Sequence, residues 1–252
     1  MLFKKCFIKL ICTFTIFIFI FSPICFSIDD IYVWSNEYIS TIQTNSFENK
    51  SLNSENSLNL ESESGILIDQ ESGEILYQHN IHEQLRPASV TKIMSILLIM
   101  EAIDSGKISL QDMVPCSEKA RSMGGSQIWL NETESLTVNE MLKAICVVSA
   151  NDAVVAMSEF ISGSEEAFVQ KMNERAKELG MNDTCFKNCH GIDEDGHVTS
   201  SYDIALMSRE LLKNHPTITN YTTIWMDTLR NGKSELVNTN KLIRNYKGAT
   251  RS

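Results

Sequence analysis

Basic residues are in short supply: 22 Lys and Arg stand against 32 Asp and Glu, a formal net charge of −10. A chain this acidic lacks the positive footprint that phosphate binding requires, so a nucleic acid is excluded as its partner. Cysteine is sparse as well. Three of the seven cysteines (Cys6, Cys12 and Cys25) fall in the first 27 residues. The other four, Cys116, Cys146, Cys185 and Cys189, are too few and too irregularly spaced for a disulfide scaffold. Cys146 sits in an apolar helical stretch and reads as a core thiol. No internal repeat is present. Long apolar runs are missing too, apart from one near the start.

That run, Leu10 to Phe21, follows Lys4, Lys5 and Lys9 and precedes Cys25-Phe26-Ser27, a small-x-small site. It is short for a membrane span and has the layout of a secretory signal peptide, so residues 1–27 are expected to direct export to the cell envelope. An uncleaved anchor is the alternative. Removing residues 1–27 would leave a charge of about −13. Residues 28–63 are rich in Ser, Asn and Glu without sustained periodicity, and are expected to form a solvated linker.

Residues 64–252 carry folded-domain patterning. Ile66 to Asp69 and Glu74 to Tyr77 predict a hairpin around Gln70-Glu71-Ser72-Gly73. After Pro87 a helix is expected that is apolar nearly all round (Ile93, Ile96, Leu97, Leu98, Ile99, Met100, Ile103) and therefore central. Ser105-Gly106 ends it. Thr137-Val138-Asn139-Glu140 is a capping box for the next helix. That helix breaks at Ser149-Ala150-Asn151-Asp152, and another succeeds it. Ser164 starts a helix that ends by Gly180, and Ser200 or Ser201 caps a last one stopped by Pro216. Trp225 to Val237 predicts a hairpin about Asn231-Gly232.

Chemistry is suggested first by Ser89-Val90-Thr91-Lys92. Residues three apart on a helix share a face, so the Ser89 hydroxyl and Lys92 amine can meet. A neutral Lys92 amine could take the Ser89 proton in acyl transfer. Taken alone, S-x-x-K also arises by chance on surface helices. The second feature is Ser149-Ala150-Asn151, where a hydroxyl could relay a proton and an amide could hold a substrate carbonyl. Read blandly it is a helix-to-helix turn in which Asn or Asp caps the next helix. His79 and His82, and the group Cys185, Cys189, His190 and His197, have spacings seen in metal sites but sit at a strand end and in a loop; no metal and no cofactor is expected. Trp34, Trp129 and Trp225 are read as packing residues rather than carbohydrate platforms.

Taken in order, Arg86-Pro87-Ala88-Ser89-Val90-Thr91-Lys92, Ser149-Ala150-Asn151-Asp152-Ala153, Phe186-Lys187-Asn188-Cys189-His190-Gly191 and Asn238-Thr239-Asn240-Lys241-Leu242 resemble the low-molecular-mass penicillin-binding proteins, serine-type D-alanyl-D-alanine carboxypeptidases of the S11 type. The likeness runs from about Ser64 to the last residue. It implies an α/β (α+β) serine DD-peptidase/β-lactamase-like domain, an antiparallel sheet flanked by helices. It also implies removal of the terminal D-Ala from peptidoglycan stem peptides, with β-lactam antibiotics as covalent inhibitors. Ser89 would be the nucleophile, Lys92 its general base, Ser149 a proton relay and Asn151 a substrate-binding amide. A class A β-lactamase fits less well: position 150 is Ala, and Glu178-Leu179-Gly180-Met181-Asn182 misses the E-x-x-L-N pattern. The resemblance also places a K-T-G motif a few residues past Tyr246 to Thr250, where this chain reads Arg251-Ser252. A catalytic domain incomplete at its C-terminus is therefore expected, a poor enzyme by itself or a non-catalytic remnant. Contact with a membrane surface is expected only of a longer form with a C-terminal anchor.

Overall fold

A computed structural model describes residues 61–246. The expected signal peptide at 1–27 and most of the expected linker at 28–63 lie outside the described residues. A first hairpin pairs β1 (Gly65–Ile68) with β2 (Ile75–His79) antiparallel. A 3-10 turn, Ala88–Thr91, leads into α1 (Lys92–Asp104). Next come β3 (Met113–Pro115), the short α2 (Glu118–Arg121) and β4 (Ser135–Thr137), with β3 and β4 paired antiparallel. Helices α3 (Val138–Val148), α4 (Asn151–Ser162), α5 (Glu165–Glu178) and α6 (Ser201–Asn214) come after them. The short α7 (Thr219–Thr222) precedes a second hairpin, β5 (Met226–Leu229) with β6 (Ser234–Val237), and then α8 (Leu242–Asn245).

The core is helical. As its composition predicts, α1 lies at the centre: Met94, Leu97 and Ile99 are fully buried, and the helix packs against α4, α5 and α6. Burying each such side chain contributes about 1.5–3 kcal/mol, which is why α1 tolerates almost no polar face. Cys146 packs against this core, and burial pushes its thiol up to about 12.

Helix starts match the capping residues. Thr137 and Glu140 form the reciprocal box at α3, and Ser164 and Ser200 cap α5 and α6 by accepting the Ala167 and Asp203 N–H groups. Both terminal hairpins fall where the alternation places them. The second closes through four residues rather than two, with Arg230, Asn231 and Gly232 all at positive φ. The β3–β4 pair was not expected, because its strands are three residues long, too short for alternation to register. Among the described residues the strands form three separate two-stranded sheets within a mixed helix and antiparallel-strand architecture.

Candidate active site

Ser89 lies on the 3-10 turn ahead of α1 rather than inside it. That shortens the step to Lys92, because three residues per turn eclipse positions i and i+3. Lys92 Nζ stands 3.2 Å from Ser89 Oγ. The pair is divided by exposure: Ser89 faces solvent, whereas Lys92 is only 3% exposed. Burial disfavours the ammonium and brings Lys92 down to about 8. Its remaining polar contact is the His190 carbonyl, which accepts from Nζ at 2.6 Å. A solvent-facing hydroxyl beside a lysine that gives up its proton near neutral pH is an arrangement that can support nucleophilic catalysis.

The turn that carries Ser89 is held from behind by the loop 185–199. Thr91 Oγ1 meets His197 Nε2 at 2.7 Å, while His197 Nδ1 accepts the Lys187 N–H at 2.9 Å. Ser95 Oγ donates to the Cys189 carbonyl at 2.7 Å. His190 and His197, two members of the group with metal-like spacing, are thus hydrogen-bonded to backbone and to Thr91. Burial holds both imidazoles below the ordinary value, hence neutral. His82 pairs with Asp183 at 2.8 Å. Among the described residues no three His, Cys, Asp or Glu side chains come together as a metal site.

Ser149 ends α3 in the left-handed conformation, φ +58°. The segment is the helix-to-helix turn of the bland reading, but Asn151 does not cap the next helix. Ala150 occupies the N-cap of α4 with no side-chain cap, and the Asn151 amide donates instead to the Gly124 carbonyl at 2.8 Å. Asn151 N–H donates to the Ser126 carbonyl at 2.7 Å, and Ser126 Oγ donates to Val148 O. The buried Asp152 carboxylate receives the N–H groups of Ile128, Leu130 and Ala153 at 2.9–3.1 Å. A surface loop is thereby fastened to the Ser149–Asp152 segment. Among the described residues no hydrogen bond joins Ser149 or Asn151 to Ser89 or Lys92. What links the two motifs is the packing of α4 against α1.

Trp129 corrects its sequence reading. It is 74% exposed at φ +59°, between Ile128 and Leu130, whose N–H groups Asp152 accepts, and packs no core. Trp225 is partly buried, with the Arg244 guanidinium 5.2 Å from its ring centroid. Two supports of the site escaped the sequence. Glu165, in the first turn of α5, is buried against the Cys189 N–H and the His190 ring, and Asp152 reads as a cap but organises a loop. No periodicity marks a buried carboxylate whose partners are backbone N–H groups.

The family model described as D-alanyl-D-alanine carboxypeptidase matches residues 50–250. The chain is 56% identical over 178 residues to the Bacillus subtilis (strain 168) protein named D-alanyl-D-alanine carboxypeptidase DacF, covering 69% of this chain and 46% of that one. It thus spans less than half the length of the curated relative. Among solved structures it is similar to penicillin-binding protein 6B from Escherichia coli, with TM-score 0.69 and 32% identity over 75% of this chain and 61% of that one. It is likewise similar to penicillin-binding protein D2 from Listeria monocytogenes in its ampicillin-bound form, with TM-score 0.67 and 28% identity over 76% of this chain and 77% of that one. The chain belongs to the D-alanyl-D-alanine carboxypeptidase family of S11 peptidases.

Proposed function

We propose that this chain carries the acylating machinery of a serine-type D-Ala-D-Ala carboxypeptidase that trims the terminal D-Ala from peptidoglycan stem peptides in the cell envelope. The observation that carries the reading is the exposed Ser89 hydroxyl 3.2 Å from a buried Lys92 that deprotonates at about 8. Ser89 Oγ attacks the carbonyl of the penultimate D-Ala as the neutral Lys92 amine takes its proton. Collapse of the tetrahedral adduct breaks the peptide bond, and Ser149 relays a proton to the departing D-Ala amine. Water then hydrolyses the Ser89 ester, releasing the shortened stem. Asn151 holds a substrate amide carbonyl with the N–H that Gly124 leaves free. A β-lactam enters by the same attack, its ring carbonyl becoming the Ser89 ester.

The test is covalent labelling by a fluorescent penicillin, with the chain joined to the remaining length of the Bacillus subtilis relative. Label on the peptide containing Ser89, together with D-Ala release from a pentapeptide, supports the reading. A folded protein that takes no label is a non-catalytic remnant, and the proposal fails.

A further inference from the structure

Glu165 opens α5 and is 6% exposed, an unusual place for a carboxylate that touches no reacting group. Its Oε1 accepts the Cys189 N–H at 3.1 Å and lies 3.5 Å from His190 Nε2. His190 Nδ1 accepts the Ile192 N–H at 3.0 Å, so the proton of the neutral ring sits on Nε2 and faces Glu165. Oε2 pairs with Lys119 of α2 at 3.0 Å, and Lys119 also takes up Glu166 at 2.7 Å. Burial opposes ionisation of Glu165, but the Cys189 N–H and the Lys119 ammonium outweigh it and hold the carboxyl below its ordinary range. The two residues it grips present their carbonyls to the opposite side: Cys189 O to Ser95, and His190 O to Lys92 Nζ. The charged and titratable neighbours are Lys119 and Glu166 on the solvent side, and Cys189, His190 and Lys92 inward, with Glu194 and His197 beyond the imidazole.

We propose that Glu165 is a positioning residue: by its reach it holds the Cys189–His190 backbone so that the His190 carbonyl seats Lys92 Nζ against Ser89. This rests on the reading of Lys92 as the base that activates Ser89. What matters is the length of the side chain, because its oxygen must arrive at a backbone N–H. Its charge is already spent on Lys119.

Two substitutions separate reach from charge without opening a large cavity. Glu165→Gln keeps the oxygen at the same distance and removes the charge. Glu165→Asp keeps the charge and withdraws the oxygen by one methylene. In the full chain labelled with ¹³C-lysine, the Lys92 Cε titration reports the seat directly and requires no activity. Lys92→Arg assigns the signal, and a melting curve for each variant fixes the folded fraction.

The expected result is a midpoint in Glu165→Gln at or below the parent value of about 8. In Glu165→Asp the midpoint rises toward the ordinary lysine value of about 10.4, as Lys92 leaves its seat and gains water. In the protein joined to the remaining length of the relative, penicillin acylation falls about 100-fold in Glu165→Asp and little in Glu165→Gln, as for a misplaced catalytic group. An aspartate variant that titrates like the parent overturns the proposal, as does a glutamine variant impaired as much as the aspartate. If Ser89 takes no penicillin while Lys92 shifts as stated, the positioning role stands and the carboxypeptidase reading falls.

Discussion

The backbone of Gly191 runs so close to the Ala88 carbonyl that a Cβ added to Gly191 would overlap that oxygen. Two conformations make the approach possible: Gly191 has φ +88°, and Ala88, the residue before Ser89, is itself at φ +46°. A side chain at Gly191 would also come within 3.0 Å of Thr91 Oγ1. Gly191→Ala is therefore expected to cost at least the 1–3 kcal/mol or so typical of overpacking, with the strain of a positive φ added. The Ser89 turn must give way. A urea melt and penicillin labelling check this, and a variant with parental stability and labelling would show that the contact is soft.

Lys92→Arg keeps the positive charge and places it beside Ser89, but a guanidinium stays protonated at any accessible pH. Near-complete loss of acylation is expected in a variant whose circular dichroism matches the parent. Acylation at close to the parental rate would mean that Lys92 serves only as a charge.

The pH dependence of acylation is set by burial. Because burial lowers Lys92 from 10.5 to about 8, its neutral amine forms as pH rises through that value. Acylation of Ser89 should climb about tenfold per unit below it and flatten above. At pH 7 about a tenth of Lys92 is already neutral, against less than a thousandth for an ordinary lysine. Labelling rates measured from about pH 6 to 10 give the profile. A rate still rising steeply through pH 10 would contradict the lowered value.

Asp152 holds three backbone N–H groups, those of Ile128, Leu130 and Ala153. Asp152→Ala leaves buried donors without partners, at about 1–3 kcal/mol each. A loss of several kcal/mol in stability is expected. Proteolysis should then open the loop around Trp129, with a change in its fluorescence. Unchanged protease resistance would place the anchoring of this loop elsewhere.

How much of this was legible in the residues differs from element to element. The caps at Thr137, Ser164 and Ser200 were readable because hydroxyl capping is a local rule. The central place of α1 was readable because its apolar side chains leave almost no polar face. The contact of Ser89 with Lys92 was readable from their three-residue spacing, and their difference in exposure comes from where the 3-10 turn meets α1. The β3–β4 pair was not readable, since three-residue strands carry no period. Trp129 was misread and Glu165 passed over for a shared reason. Whether a side chain is buried there depends on partners 20 or more residues away, Asp152 for the loop and Cys189 for the carboxylate. No local pattern encodes such partners.

The central claim is that Ser89 is acylated with Lys92 as its base. It is tested most directly by mapping the penicilloyl adduct by peptide mass spectrometry in the parent and in Ser89→Ala, each joined to the remaining length of the Bacillus subtilis relative. The account predicts one adduct, on the peptide containing Ser89, absent from the alanine variant while the fold is kept. An adduct that persists in Ser89→Ala, or lies on another serine in the parent, would contradict it.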